Sequence, residues 1–417
     1  MEVEGVSRLN MGQTTEETDR YRWVILCVLW IAFIVVYLNR LSVGPLGPFL
    51  KEELDLTSAQ VGMVMSAAVF GYMFTQLPSG WVVDKIGARW PIAAGELIAG
   101  VSMIALYFVP SYLWLLMLMF VTGLGCGFLM PATTQGVIVW FPQRERATVM
   151  GLKQTAVNIG GIISAATLPI VALSLGWRYG FLVLGMTAIA ISLLSLIFYK
   201  EPLGPNSSRS AGLSGLTTAV PLREILGNRE IWLVAFSGGC FSWVDMATMA
   251  HLVLYLTEVI LVPVVTAGGL LAVAQAAGAV AKPGSGLLSD WVFRGHRKPV
   301  FMMMAGISCA MCLLVGLIGS HLSWALYPVL FMLGLAATGF GGVFIALISE
   351  LGGRQGAGKA TGLAITVTMG GSMFGPIVFG HIVDVSASYE LAWLSLAFMS
   401  AFCVLLLLFV REGRKRI

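Results

Sequence analysis

The sequence predicts an all-α protein that crosses a membrane many times, and three observations support this fold class. Hydrophobic residues make up 58% of the 417 residues and charged residues only 11%, whereas soluble globular domains carry about 25% charged residues. The apolar residues form stretches of roughly 20 residues or more, long enough to cross a hydrocarbon core of about 30 Å as helix. The alternating pattern of a transmembrane β-barrel is absent from the sequence. Lipid is therefore part of the solvent, and helices satisfy the backbone.

Twelve apolar stretches are long enough to be membrane-spanning helices. The polar segment before the first one is rich in Asp and Glu, which is not the pattern of a cleavable signal peptide. The first stretch is therefore predicted to stay as an anchor. The predicted spans are 22–42, 57–80, 90–109, 112–139, 148–174, 178–199, 230–259, 264–289, 299–319, 322–350, 359–384 and 389–410.

The distribution of Lys and Arg predicts the orientation. With the N-terminus inside, 20 of the 25 basic residues fall in cytoplasmic segments, as the positive-inside rule requires. Both termini are then cytoplasmic, which agrees with an even number of spans. The net charge of +4 follows from this topology and does not indicate a nucleic-acid partner.

The chain contains a weak internal repeat. Gly80 and Asp84 end the second predicted span and precede a basic loop, and Gly286 and Asp290 do the same at the end of the eighth. A second pair of glycines, Gly151 in the fifth span and Gly362 in the eleventh, recurs at a similar offset.

The repeat predicts two six-helix halves joined by a segment rich in Pro, Gly and Ser. The predicted organisation is a cytoplasmic tail (1–20), an N-terminal bundle (21–199), a cytoplasmic linker (200–226), a C-terminal bundle (227–411) and a second tail (412–417).

The segment from Gly80 through Asp84 and Gly87 to Arg89 resembles the signature loop of the major facilitator superfamily. The twelve predicted spans and the degenerate second copy complete the resemblance, which covers nearly the whole chain after residue 20. It implies two six-helix bundles that rock about a substrate site near the middle of the membrane. It also implies a gating role for Asp84, Arg89 and Asp290, with Arg89 bonding to the other half in one conformation only.

Several segments resemble one branch of this superfamily. Residues 37–40 (Tyr-Leu-Asn-Arg) are similar to a segment of the anion:cation symporters, and residues 140–147 and 151–155 resemble segments of related bacterial organic-anion carriers. The chain departs from this branch at two points: Asn39 stands where the symporters have Asp, and residues 123–127 lack the carboxylate that many have in span four.

Ionisable residues inside a membrane cost free energy unless they are paired or hydrated, so they indicate functional sites. Lys153 lies about 10 Å into the fifth span and Lys282 about 12 Å into the eighth. We expect these two cations and Arg40 to bind an anion, although Arg40 lies by depth at the outer interface. Asp245 in the seventh span is the candidate proton carrier. Glu96 is expected to pair with a loop arginine near the inner surface.

Further polar side chains within the spans are candidate substrate contacts. These are Tyr37, Asn39, Tyr72, Gln76, Gln154, Asn158 and Gln275. Each has an alternative interpretation, since aromatic residues more often pack or anchor helices in the membrane.

These features predict a secondary transporter of a small organic anion, such as a monocarboxylate, by proton symport and alternating access. An anion exchanger and a proton-coupled exporter of cationic or amphiphilic compounds are the alternatives; the exporter would need acidic residues where Asn39 and Cys126 stand. No catalytic, metal-binding or nucleotide-binding motif is present in the sequence, so we expect no enzyme activity and no cofactor. We expect a monomer in the bacterial inner membrane.

Overall fold

A computed structural model describes residues 2–201, 222–317 and 325–411. These residues form fifteen helices and no strand, which confirms the predicted all-α class. The helices are α1 (Glu2–Arg40), α2 (Val43–Glu53), α3 (Ser58–Ile86), α4 (Arg89–Leu106), α5 (Tyr112–Gly127), α6 (Leu129–Trp140), α7 (Gln143–Leu175), α8 (Trp177–Phe198), α9 (Leu222–Gly227), α10 (Arg229–Glu258), α11 (Val264–Trp291), α12 (Lys298–Leu317), α13 (Leu326–Gly339), α14 (Gly341–Ser386) and α15 (Tyr389–Leu408).

The membrane spans combine these helices. Within the described residues, eleven helical segments are long and apolar enough to cross a membrane, and α3 gives a twelfth when its two halves, bent by 49°, are taken together. Pro78 lies at the bend of α3, as expected for a residue that removes a backbone hydrogen bond. Helix α14 contributes to two spans, because Gly353 has a φ of 64° and interrupts it: α13 and the start of α14 form the span Leu326–Gly353, and the rest of α14 forms Gly356–Ser386.

The first span is longer than predicted. It runs from Arg20 to Glu53, because α1 and α2 are separated only by Leu41 and Ser42. The sequence predicted an end at residue 42. Pro45 lies in the first turn of α2, where its missing N–H costs little, so the chain resumes as helix and continues to Glu53.

The helices pack as two groups. In the first, α1 packs on α7 and α8, α3 on α5, and α4 on α5 and α8. In the second, α10 packs on α14 and α15, α11 on α13, and α12 on α13 and α15. The groups meet where α3 contacts α14, α7 contacts α11, and α2 contacts α10. The domain bounds 21–199 and 227–411 stay predictions, because most of the predicted linker lies outside the described residues.

The two groups are joined tightly at one end. We call the helix ends near Glu53 and Glu258 the far face, and those near Tyr21 and Arg411 the terminal face. At the far face the ammonium of Lys51 donates to the Glu258 carboxylate at 2.9 Å. The Asp384 carboxylate accepts the backbone N–H groups of Ser58 and Ala59, each at 2.8 Å. These links close the cleft between the groups on this side.

The repeat glycines have open space beside them. A Cβ atom added at Gly80, Gly151, Gly286 or Gly362 would meet no atom within 4 Å. All four lie in the terminal-face halves of the helices that flank the cleft. By contrast, a Cβ atom at Gly62, toward the far face, would lie 2.3 Å from the Pro376 carbonyl oxygen of the other group. The two groups are therefore in close contact at the far face, and the four repeat glycines toward the terminal face have open space beside them.

Candidate functional site

A hydrogen-bonded chain of polar side chains crosses the middle of the cleft. Lys282 and Gln275 lie two turns apart on α11, so their side chains share one face of that helix. The Lys282 ammonium donates to Asn158 Oδ1 of α7 at 2.6 Å, and Asn158 Nδ2 donates to the Gln275 backbone carbonyl at 3.0 Å. Gln275 Nε2 in turn contacts the sulfur of Met249 at 3.0 Å. Three predicted substrate contacts are thus brought together from both halves.

Lys153 occupies a pocket that the sequence did not indicate. Its side chain is fully buried, and its ammonium donates to the hydroxyls of Thr133 and Thr134 at 3.2 and 3.0 Å. Each threonine donates its own proton to α6, to the carbonyls of Leu129 and Met130. The hydroxyl oxygens are therefore oriented to accept from the lysine. The ammonium also lies 4.9 Å from the centre of the Phe33 ring.

Arg40 lies inside the bundle, so the expectation by depth of an interfacial arginine is wrong. The first span continues through α2, and Glu53 lies 13 residues further along the chain, roughly 20 Å of helix. The Arg40 guanidinium lies 4.2 Å from the centre of the Tyr72 ring and 5.2 Å from that of Tyr37. Arg40 Nε is buried without a hydrogen-bond partner. Two predicted aromatic contacts and a cation thus form one cluster.

Two further candidates are buried with unused hydrogen-bonding capacity. Both amide atoms of Asn39 are buried and have no hydrogen-bond partner. Asp245 Oδ1 is also buried without a partner, and the charge of Lys282 acts on this carboxylate. Since buried polar groups are normally hydrogen-bonded, these atoms are available to a ligand or a proton.

The remaining predicted substrate contacts are not brought into these clusters. Gln76 and Gln154 are half-buried. Within the described part of the chain, neither side chain hydrogen-bonds to another predicted site residue. Their role in binding stays a prediction.

The three predicted gating residues lie at the terminal face, each within its own half. Asp84 is exposed, Arg89 donates to the Leu196 carbonyl of α8, and Asp290 accepts from Arg297 at 2.6 Å. The Arg89 and Asp290 contacts do not join the two halves, as expected for gating residues in a conformation where the terminal face is open. The gating role stays a prediction.

Glu96 does not lie at the surface, so its expected pairing with a loop arginine is wrong. The residue is fully buried in the first group of helices, and neither carboxylate oxygen has a hydrogen-bond partner. The expectation rested on its short distance from the end of the helix. That distance does not reveal that α5 and α8 cover the end of α4.

Comparisons with known proteins agree with this architecture. The family model of the Major Facilitator Superfamily matches residues 29–372 and 294–416. The "Probable sulfoacetate transporter SauU" of Cupriavidus necator is 28% identical over 89% of this chain and 90% of its own. The "Hexuronate transporter" of Bacillus subtilis is 21% identical over 93% of this chain and 94% of its own.

A solved structure supports the fold. The crystal structure of a bacterial homologue of the human lysosomal transporter Spinster, in an inward-facing and occupied conformation, has a TM-score of 0.79 and 14% identity. The match covers 94% of this chain and 97% of the other. The chain therefore belongs to the major facilitator superfamily, a family of transporters rather than enzymes.

Proposed function

We propose that this protein carries a small organic anion across the membrane together with a proton, by alternating access. The observation that supports this most strongly is the set of three cations around the cleft, Arg40, Lys153 and Lys282. Among the described residues none of the three has a carboxylate within 4 Å, and only Lys282 has one, Asp245, within electrostatic range. Buried charges without a close counter-charge are costly, and an anion would supply that counter-charge.

The cations are divided between the halves in a way that suits a carrier. Arg40 and Lys153 belong to the first group, and Lys282 belongs to the second and reaches across the cleft to Asn158. An anion that bonds to cations of both groups would draw the groups together. Binding would then favour a closed state, which a rocking mechanism requires.

The substrates of the relatives support the same class of cargo. SauU is named for sulfoacetate and the Bacillus protein for hexuronates, and both are organic acid anions at neutral pH. A monocarboxylate is the simplest cargo of this class, and we propose that it is among the substrates. Asp245, within electrostatic range of Lys282, is the proposed proton carrier for symport.

The test is uptake into liposomes that contain the purified protein. The panel consists of labelled sulfoacetate, glucuronate and lactate, each measured with and without an inward proton gradient. We expect gradient-stimulated uptake of at least one acid. Lys282→Ala should abolish it, and Asp245→Asn should keep exchange of labelled for unlabelled acid while losing the response to the gradient.

Lys200→Ala is the matched control, because it removes one exposed cation outside the cleft, beside Tyr21. It should transport like the parent protein. Absence of acid uptake under every gradient, with uptake of a lipophilic cation such as tetraphenylphosphonium, would refute anion transport and favour the exporter. Acid exchange that never responds to a proton gradient would indicate an anion exchanger.

A further inference from the structure

Tyr37 of α1 connects two of the three cations of the proposed site. The Arg40 guanidinium lies 5.2 Å from the centre of the Tyr37 ring. That ring packs edge to face against Phe33, with 5.3 Å between the ring centres. The Lys153 ammonium lies 4.9 Å from the centre of the Phe33 ring. The two cations of the first group therefore border one pair of packed aromatic rings, with one cation against each ring.

The third cation reaches the same place from the other half. A Cβ atom added at Gly160 would lie 2.9 Å from the Cβ atom of Tyr37, so α7 is in close contact with α1 at this residue. Asn158 precedes Gly160 on α7 by two residues. Its amide oxygen accepts from the Lys282 ammonium at 2.6 Å. The positive charge of the second group is thus held beside the α1–α7 contact that carries Tyr37.

Arg40 and Lys282 both have N–H donors that the described side chains do not use. Within the described part of the chain the Arg40 guanidinium makes no hydrogen bond, and its Nε is buried. It lies instead against the rings of Tyr37 and Tyr72. The Lys282 ammonium has further donors beside the one that Asn158 accepts. Because buried donors normally have partners, each of the two cations can bind an acidic group of its own.

The charge balance of the site favours a ligand with more than one negative group. Among the candidate residues inside the membrane, the cations Arg40, Lys153 and Lys282 stand against one carboxylate, Asp245. Two positive charges are left when Asp245 is ionised, and three when it is protonated. A ligand with a single negative charge would leave a buried cation without a close counter-charge, which is costly.

We propose that the preferred cargo is a dianion, such as a dicarboxylate or a sulfonated carboxylate, with one acidic group on Arg40 and the other on Lys282. This inference rests on the proposed anion transport and names the charge of its cargo. Because Arg40 belongs to the first group of helices and Lys282 to the second, two acidic groups on one ligand would link the halves. A monocarboxylate can bind to one of these cations only, so its affinity is lower.

The first experiment compares matched ligands on the parent protein and needs no variant. Binding of succinate and sulfoacetate is measured by calorimetry at neutral pH beside that of their monoamides, succinamate and sulfoacetamide. Each amide keeps the shape of the diacid and lacks one negative charge. Loss of that charge leaves a buried cation unpaired, so the diacid that binds should do so about thirtyfold or more tightly than its monoamide. Equal affinities within a pair would overturn the inference and leave anion transport standing.

The second experiment tests the assignment of one acidic group to Arg40. In Arg40→Gln the ratio of the diacid and monoamide affinities should fall to about one, as a double-mutant cycle between ligand and protein requires for a direct contact. Arg40→Lys keeps the charge and should restore most of the difference. Arg144→Gln, which removes an exposed arginine at the terminal face, should keep the ratio of the parent. An unchanged ratio in Arg40→Gln would refute the assignment. If none of these compounds binds, nor lactate or glucuronate, the anion site itself fails.

Discussion

The two hydrogen bonds to Asp384 at the far face give the sharpest prediction about how the cleft opens. The carboxylate lies on α14 and accepts the N–H groups of Ser58 and Ala59 at the start of α3, in the other half. The first N–H groups of a helix have no partner within the helix, and the positive end of the helix dipole favours an anion there. Asp384→Asn should therefore weaken closure at this face.

The magnitude follows from the two hydrogen bonds. Each bond to a charged group is worth about 1.5 kcal/mol at an exposed position, the low end of the usual range. An asparagine oxygen keeps one neutral bond of about 1 kcal/mol and presents its amide group to the other N–H. The net loss is about 2 kcal/mol, which corresponds to about a thirtyfold shift toward far-face opening.

The assay is a distance measurement across the far face by electron paramagnetic resonance. Spin labels are placed at Glu52→Cys and Val265→Cys, two exposed positions in opposite halves, after Cys27 and Cys309 are replaced by Ala. Asp384→Asn should move the distance distribution toward longer values. Glu390→Gln removes an exposed acid at the same face and should leave it unchanged. Identical distributions in Asp384→Asn and the control would refute the claim that the Asp384 hydrogen bonds hold the far face closed.

Three further changes test other parts of the structure. Gly286→Leu should leave folding intact, because that position is open, but overpacking of the closed terminal face should slow liposome uptake about tenfold. Thr134→Val removes one of the two hydroxyls that accept from buried Lys153 and should lower stability by about 1–3 kcal/mol, measured by thermal unfolding with Thr167→Val, at an exposed position, as the control. Lys51→Met should change the spin-label distances only slightly, because a half-exposed ion pair contributes under about 1 kcal/mol.

The fold was predictable because its main determinant is local. An unbroken apolar stretch of sufficient length must form a helix in lipid, and the predicted spans fall on the observed helices. The exception is α2, because the sequence does not reveal that Pro45 would fall in the first turn of a new helix. That one error also misplaced Arg40 relative to the membrane surface.

The residues of the candidate site could be predicted from the sequence, but the contacts between them could not. Lys153 and Lys282 stand out because charges are rare in apolar spans. Their partners could not be identified, since Asn158 lies 124 residues from Lys282 in sequence. Thr134 was missed because threonines in apolar helices commonly bond only to their own backbone. The environment of Glu96 depends on how α5 and α8 pack over α4, which the sequence does not specify.

The most direct test of the central claim is equilibrium binding of a transported acid to purified protein. Loss of one cation from a buried ion pair costs about 2–5 kcal/mol, so Lys153→Met and Lys282→Met should each weaken binding about thirtyfold or more. Lys200→Met should bind like the parent protein. If both cleft variants bind the acid as tightly as the parent, the anion does not bind between the cations of the two halves, and the proposed site is wrong.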